Sequence, residues 1–274
     1  MQKNVASGSS PRPGGRSAPL VPFLFGVAGH AQLPGTELIR LLGDLGLTEA
    51  AARALLLRMR HEGKLTSVRR GRGVDYQLAG EYGRRFERIR RADQQRPAEW
   101  TGSFHALLYQ VPESRRAYRD GLRRAAVHLG YGLLQQGVLI AMDDRTDQLG
   151  PLADPPAEVR VFVTRLAMSE ADAARAAFLA WDLDALNRLY SEHAQILRTA
   201  LRERSGPPEP GPDALRRYAD LLRTPMVDTL RSPRLPGTLF PDDWSMPQLW
   251  QAIAEVQQVF GAPATGYVTR RLAG

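Results

Sequence analysis

The chain has 274 residues, of which 43% are hydrophobic, and it carries a formal net charge of +8 with no cysteine. This length and composition predict a folded protein of two or three domains, and the lack of cysteine excludes disulfide frameworks, thiolate metal sites and cysteine nucleophiles. No apolar run approaches membrane-spanning length and the first residues have no signal-peptide core, so we expect a cytoplasmic protein without a membrane partner.

The positive charge is concentrated at the front of the chain. Residues 1–92 contain 16 Lys or Arg and 7 Asp or Glu, a net charge of +9, whereas residues 93–274 contain 21 and 22, a net charge of −1. A basic module joined to a near-neutral body predicts a polyanionic partner at one end. Residues 1–18 are rich in Gly, Ser and Pro and have no periodicity, which predicts a flexible arm.

The next stretch has the pattern of a helix-turn-helix. An apolar run at residues 20–27 predicts a first helix, and leucines at three-and-four spacing over residues 36–45 predict a second. After a turn at residues 45–47, Thr48 lies where a helix N-cap belongs, and Gly63 supplies a C-terminal stop. The third helix between them has one apolar face and several arginines off the centre of that face.

A basic hairpin follows this third helix. Residues 65–68 and 74–78 predict two strands, joined by Arg69-Arg70-Gly71-Arg72-Gly73. A hairpin tip with three arginines is typical of a wing that contacts phosphates, so the stretch predicts a winged helix-turn-helix. The residues expected to contact DNA are Thr48, Arg53, Arg58, Arg69, Arg70 and Arg72. The alternative is a winged helix used only for protein contact, which seldom needs arginines at a hairpin tip.

The middle of the chain predicts a second kind of domain. Residues 81–91 predict a connecting helix, and a change of composition at residues 94–97 marks a boundary. The predicted elements after it are a strand at 103–111, a helix ending at 129, strands at 131–134 and 138–142, a poorly helical piece at 143–156 and a strand at 158–166. The order β-α-β-β-(α)-β is the ferredoxin-like arrangement, with its second helix reduced.

Helical periodicity dominates the remainder of the chain. The predicted helices cover residues 171–178, 183–201, 213–223 and a last segment that ends near residue 260. Asp182 and Ser245 are placed to cap the second and last of these, and Thr224-Pro225 is predicted to interrupt the third. The sequence therefore predicts an α+β fold in four parts: a flexible arm at 1–18, a winged helix DNA-binding domain at 19–92, a ferredoxin-like domain at 97–167 and a helical domain at 168–274.

Short motifs spread in order over residues 20–260 resemble the PaaX family of bacterial transcriptional regulators, the repressors of phenylacetate catabolism and their relatives. The motifs are Gly46-Leu47-Thr48-Glu49 leading to Arg53, Arg58 and Gly63; Trp100-Thr101-Gly102; Pro112-Glu113-Ser114-Arg115-Arg116; Leu129-Gly130-Tyr131-Gly132; Ala180-Trp181-Asp182-Leu183; and Leu239-Phe240-Pro241-Asp242-Asp243-Trp244. The resemblance implies an N-terminal winged helix, a central domain similar to the CRISPR-associated Cas2 proteins and a C-terminal helical domain. It also implies a homodimer that releases its double-stranded DNA operator when an aryl-acyl-CoA is bound, phenylacetyl-CoA in the founding members. We expect no cofactor and no enzymatic activity.

The third predicted helix, which is the recognition helix of a helix-turn-helix, departs from the family pattern in one respect. Relatives tend to present small polar residues to DNA at positions 54 and 57, which are Ala54 and Leu57 here, and position 50 is Ala50. Fewer hydrogen-bonding side chains than in those relatives are therefore expected to face the major groove of DNA. Base-specific readout is expected to depend on Arg53, Arg58 and the wing.

An effector pocket is expected in the C-terminal part of the chain. Aromatic side chains there could accept an aryl group, and an arginine could meet a CoA phosphate. The candidates are Trp181, Arg188, Tyr190 and Trp244. The alternative is core packing for the aromatic residues and an ordinary solvated surface for the arginine.

A Cas2-like metal-dependent nuclease is the enzyme alternative. In those proteins an aspartate follows a tyrosine at the end of the first strand and holds a divalent metal, whereas this chain has Tyr109-Gln110-Val111. The neutral carbonyl of Gln110 is a far poorer ligand than a carboxylate for a hard cation. The five histidines show no metal-ligand spacing, so no metal site is expected. Adjacent acidic pairs at 143–144 and 242–243 are expected to have loop or capping roles.

Overall fold

The computed structural model describes residues 17–71, 73–80, 83, 87, 99–204, 206 and 208–273. Its longer helices are α1 (Leu20–Ala28), α2 (Gly35–Asp44), α3 (Glu49–His61), α4 (Arg116–His128), α5 (Glu170–Ala180), α6 (Leu183–Arg202), α7 (Pro212–Thr229), α8 (Met246–Val256) and α9 (Ala262–Ala273). Its strands are β1 (Gln32–Pro34), β2 (Leu65–Arg70), β3 (Gly73–Leu78), β4 (Ser103–Gln110), β5 (Gly132–Gln135), β6 (Val138–Ala141) and β7 (Arg160–Ala167). Short 3-10 helices cover Glu113–Arg115, Thr146–Ala153 and Gly237–Leu239, and a π-helix at Gln257–Gly261 joins α8 to α9.

The chain divides into two compact units. The first unit comprises the described residues of 1–95, 194–228 and 250–274, and the second comprises residues 96–193 and 229–249. Within the part of the chain that the structure describes, no helix has both the length and the apolar composition needed to cross a membrane.

The first unit contains a winged helix-turn-helix. Strands β1, β3 and β2 form an antiparallel sheet in that order, so that β3 is central, and α2 packs against both β3 and α3. The apolar faces of α2 and α3 are fully buried, as shown by Leu38, Leu41 and Met59. The helical spacing of these residues predicted this face, and its burial supplies the core beneath the recognition helix.

Helices from the two ends of the chain complete the first unit. Helix α1 contacts α2 and α9. The rings of Phe23 in α1 and Tyr218 in α7 lie 5.5 Å apart at a tilted angle, a favourable geometry for two aromatic rings. The helix-turn-helix therefore packs directly on C-terminal helices.

The second unit is built on a four-stranded antiparallel sheet in the order β5-β6-β4-β7. Helix α4 covers one face, where Leu122 and Ala126 pack with Leu107 and Tyr109 of β4. This strand order and connectivity are those of a ferredoxin-like fold. Two short 3-10 turns with a kink at Gly150 stand where the second helix of that fold belongs. The predicted α+β class and the reduced second helix are both confirmed.

On the opposite face of this sheet, α5 packs against β5 and aromatic side chains pack against β4. Phe104 of β4 is fully buried, and its ring lies 4.8 Å from that of Trp100 and 6.0 Å from that of Trp181. Helix α5 contacts β5. The sheet is therefore buried on both faces near its centre.

Two predictions about the C-terminal helices were wrong. Helix α7 runs to Thr229 through Pro225, which was predicted to interrupt it. A proline removes one backbone hydrogen bond, but Pro225 is itself buried and Leu222 is 2% exposed, so packing offsets that loss. The last predicted helix ended near residue 260, whereas the structure has a further helix, α9, that continues to Ala273.

One strand was not predicted, and two predictions fall almost entirely outside the described residues. Strand β1 was not predicted, because three residues are too few to show alternation. The predicted helix at residues 81–91 falls outside the described residues except for Gly83 and Glu87, and so does the predicted arm except for Ser17 and Ala18.

Candidate nucleic-acid interface

Helix α3 is defined by clear signals at both ends. Thr48 is the N-cap, with its hydroxyl accepting from the backbone N–H of Ala51 at 3.2 Å, as the sequence predicted. At the other end Gly63 has a φ of +68°, and the N–H of Lys64 donates to the carbonyl of Met59 at 2.8 Å. Together with the bond from the N–H of Gly63 to the carbonyl of Arg60 at 3.0 Å, this bond forms a Schellman motif, which satisfies the last carbonyls and stops the helix.

Arg53 projects from the exposed side of α3. Its side chain is 65% exposed and forms an ion pair with Glu49, one turn earlier, with an Nη2–Oε1 distance of 2.6 Å. An exposed pair at this spacing contributes little to stability. The guanidinium can therefore exchange Glu49 for a phosphate or a base edge at small cost.

Arg58 lies near the C-terminal end of the same helix and is also exposed. The hydrogen bond from Lys64 lowers the pKa of Glu62, and the charges of Lys64 and Arg58 act in the same direction. Arg60 and His61 also lie in this last turn of α3, so basic side chains are concentrated there.

The predicted basic hairpin is present, and its strands are longer than expected. Strands β2 and β3 pair up to Arg70 and Gly73, so that two residues of sequence separate the paired ends. Gly71 has a φ of +58°, which suits the first position of a type I′ hairpin turn. Arg69 and Arg70 are exposed at the end of β2, and Arg72 lies outside the described residues.

Arg70 has a carboxylate neighbour that the sequence did not reveal. Its Nη1 lies 3.4 Å from Oδ2 of Asp75 on β3; the arginine side chain is 81% exposed and that of Asp75 only 9%. Asp75 pairs with Val68 in the register of the hairpin, which places it diagonally opposite Arg70. The Asp75 carboxylate therefore attracts the Arg70 guanidinium toward β3 and competes with phosphate for that guanidinium.

The centre of the exposed face of α3 is apolar. Ala50, Ala54 and Leu57 are all exposed, and Leu57 is 64% exposed. They lie opposite the buried stripe that includes Leu55 and Met59. The sequence predicted that this face would carry few hydrogen-bonding groups, and the structure places arginines on its flanks.

A polar connection that sequence reasoning missed joins the C-terminal helices to α2. The Tyr267 hydroxyl of α9 donates to Oδ2 of Asp44 at 2.7 Å, and Nε of Arg216 in α7 donates to the backbone carbonyl of Asp44 at 3.0 Å. Asp44 is the last residue of α2, immediately before the turn that leads to α3. The C-terminal helices therefore fix the residue from which the recognition helix is positioned.

Tyr267→Phe is expected to destabilise the folded protein by about 1 kcal/mol at neutral pH, because Asp44 loses a hydrogen-bond donor. Burial raises the pKa of Tyr267, and the hydrogen bond to Asp44 raises it further. A raised folded pKa means that this stability is present below about pH 10 and is lost as pH rises through the folded pKa.

Urea unfolding of both proteins between pH 7 and pH 11 measures this effect. The wild type should lose stability above about pH 10 more steeply than the phenylalanine variant. Tyr218, whose pKa is raised by burial, is present in both proteins and serves as a common background. Parallel pH profiles would contradict a folded-state role for the Tyr267 hydroxyl.

The four predicted effector residues lie in the second unit, and the three aromatic ones among them fall into two separate ring contacts. Trp181 packs against Phe104 and donates from Nε1 to the carbonyl of Gly130 at 3.2 Å. Tyr190 is fully buried and meets the ring of Trp244 edge-on at 5.4 Å. Arg188 is exposed and ion-paired with Asp184 on the same helix. Their assignment to an effector site stays a prediction.

The residues of the nuclease alternative have structural partners. Gln110 is exposed at the end of β4 and pairs in register with Arg160 of β7, so a cationic side chain is its cross-strand neighbour. Asp144 accepts from the hydroxyl and N–H of Thr146, and these bonds lower its pKa. Within the described ranges, no three His, Asp or Glu side chains are grouped so as to hold a metal ion.

Comparisons with known proteins agree with this architecture. The family model described as PaaX-like protein matches residues 23–82, and the one described as the PaaX protein central Cas2-like domain matches residues 97–176. Among solved structures the chain is similar to the uncharacterized protein Rv0674 from Mycobacterium tuberculosis, with 26% identity, a TM-score of 0.56, and coverage of 92% of this chain and 98% of that one. No curated protein matches the chain. Because the two family models together match half of the sequence, over the winged helix and the ferredoxin-like domain in turn, the chain belongs to the PaaX family of transcriptional regulators.

Proposed function

We propose that the chain is a transcriptional repressor that binds a double-stranded DNA operator through α3 and the hairpin of β2 and β3. The observation that carries this proposal is the pattern of exposure. Arg53 and Arg58 on α3 and Arg69 and Arg70 on the hairpin are all exposed, on a module whose opposite face is buried. Arginines supply both phosphate contacts and bidentate contacts to guanine.

We further propose a cytoplasmic homodimer that releases DNA when an aryl-acyl-CoA binds. Family membership supports this part of the proposal. A dimer would place two recognition helices on half-sites about one helical turn apart. The effector must bind the DNA-incompetent arrangement more tightly than the competent one, because equal affinity for both would leave the equilibrium unchanged. Trp181, Arg188, Tyr190 and Trp244 are the residues proposed to contact it.

Electrophoretic mobility shifts with the DNA upstream of the protein's own gene test DNA binding. We expect a shift that resists competitor DNA and weakens as salt rises. Arg53→Ala with Arg58→Ala should weaken it at least tenfold, since each bidentate contact to a base contributes about 1–3 kcal/mol. Circular dichroism of the double variant is the control, because both side chains are exposed and their loss should leave the fold intact.

Absence of any shift at low salt would exclude the repressor. A winged helix used for protein contact is the second candidate, and the exposed side chain of Leu57 favours it.

The effector is tested separately, by adding phenylacetyl-CoA to the protein–DNA complex. Release of DNA at concentrations that bind the free protein supports the proposed regulation, and release by CoA alone would contradict an aryl-specific site.

A further inference from the structure

The most exposed side of the recognition helix is apolar at its centre. Positions 50, 54 and 57 follow four-and-three spacing, so Ala50, Ala54 and Leu57 lie in one line along α3. Leu57 has the largest exposed fraction, 64%, among the large apolar residues described in the first unit. Such a leucine adds nothing to the core beneath it, so its apolar surface is available to a partner.

Charge restricts what that partner can be. Arg53 and Arg60 lie on one side of the apolar line and Arg58 lies on the other, and the first 92 residues carry a net charge of +9. The partner must therefore present negative charge on both sides of an apolar group. The major groove of B-DNA has this arrangement, because phosphates border it on both sides and the 5-methyl group of thymine projects into it.

The short side chains of the helix fit the same partner. Ala50 and Ala54 have no atoms beyond Cβ, so the helix backbone can approach the base edges closely. Leu57 then extends further into the groove than either alanine. A helix with polar residues at these positions would instead select bases by hydrogen bonds.

We propose that Leu57, together with Ala50 and Ala54, recognises thymine methyl groups in the operator. This inference rests on the proposed DNA-binding function and specifies what the recognition helix reads. The flanking arginines supply phosphate or guanine contacts, while the apolar line selects thymine at the base pairs beneath it. Loss of a thymine methyl removes apolar contact without changing charge or base pairing.

The test begins with selection of binding sites from a random duplex library by the full-length protein. Each thymine of the selected site is then replaced by deoxyuridine, which lacks only the 5-methyl group. We expect about fourfold weaker binding for each contacted methyl that is removed. The ratio of thymine to deoxyuridine affinity should not change with salt, because no counterion is released by this contact.

Leu57→Ala provides the matched variant, since leucine and alanine both favour helices and the side chain is exposed. It should bind the thymine duplex several-fold more weakly and should no longer distinguish thymine from deoxyuridine at one or more positions. Arg58→Ala should retain that distinction and show a weaker salt dependence.

The outcomes separate this inference from the function on which it rests. If no duplex is selected at low salt, DNA binding itself fails. If duplexes are selected but every thymine can be replaced by deoxyuridine without loss, the methyl-reading inference is overturned and DNA binding stands. If Leu57→Ala binds DNA like the wild type but changes self-association in sedimentation, the apolar line is a protein contact and the inference is likewise overturned.

Discussion

Replacing Arg69 and Arg70 together by alanine is expected to weaken binding to duplex DNA about tenfold at moderate salt, whatever the DNA sequence. Both side chains are exposed at the end of β2, directly before Gly71. Here we assign base readout to α3 and only phosphate contact to these two arginines of the wing. Phosphate contacts carry no sequence information, so specific and non-specific duplexes should be affected alike. Each lost contact also lowers the slope of log K against log salt by about 0.9, which makes the expected change about two for the pair.

Fluorescence anisotropy titrations at several salt concentrations measure both quantities. Arg123→Ala with Arg124→Ala is the matched control, because it removes the same charge from exposed positions of α4 in the second unit. An equal loss of affinity in the control would show that net charge, not the wing, is responsible. An unchanged salt slope in the Arg69 and Arg70 variant would contradict phosphate contact by this hairpin.

Substitution of Asp75 tests the wing by a change that should maintain or raise DNA affinity instead of lowering it. Its carboxylate lies 3.4 Å from Arg70, so it competes with phosphate for the guanidinium. Asp75→Asn keeps the shape of the side chain and removes the charge, and DNA affinity should stay equal or rise about twofold. A clear loss of affinity with an intact fold would mean that the ion pair positions Arg70 for DNA.

The parts of the site that the sequence predicted are those determined by neighbours along the chain. Thr48 and Gly63 define the ends of α3 through hydrogen bonds to residues within five positions. The hairpin was also predictable, because two strands and a glycine turn lie within fourteen residues. In each case the amino-acid type and its spacing decide the structure locally, so little depends on the remainder of the fold.

The parts that the sequence did not reveal depend on distant residues. Tyr267 reaches Asp44 across 223 positions of sequence, and no local pattern marks either residue as a partner of the other. Helix α7 continues through Pro225 because tertiary burial outweighs a local preference. Asp75 likewise lies on a central strand, paired with Val68 of β2 and Pro34 of β1, and β1 itself is too short to predict.

Two glycines of α2 should respond to the same substitution with opposite signs. A Cβ on Gly35 would lie 2.8 Å from the carbonyl oxygen of Val74 and 2.9 Å from Cε2 of Tyr76, both on β3. A Cβ on Gly43 would meet nothing within 4 Å. Gly35→Ala is therefore expected to destabilise the protein by about 1–3 kcal/mol through overpacking, and Gly43→Ala to stabilise it by about 0.5–1 kcal/mol through helix propensity.

Urea unfolding of the two variants measures the difference, and each serves as the other's control because both add one methyl group to the same helix. The clash at Gly35 involves a backbone carbonyl of the central strand, which cannot move without disturbing its pairing with β2. Since α2 leads into the turn before α3, a shift of α2 away from β3 would also change the position of the recognition helix relative to the wing. Gly35→Ala should therefore lower DNA affinity at temperatures where it remains folded, whereas Gly43→Ala should not. Equal stability of the two variants would contradict the close contact between α2 and β3.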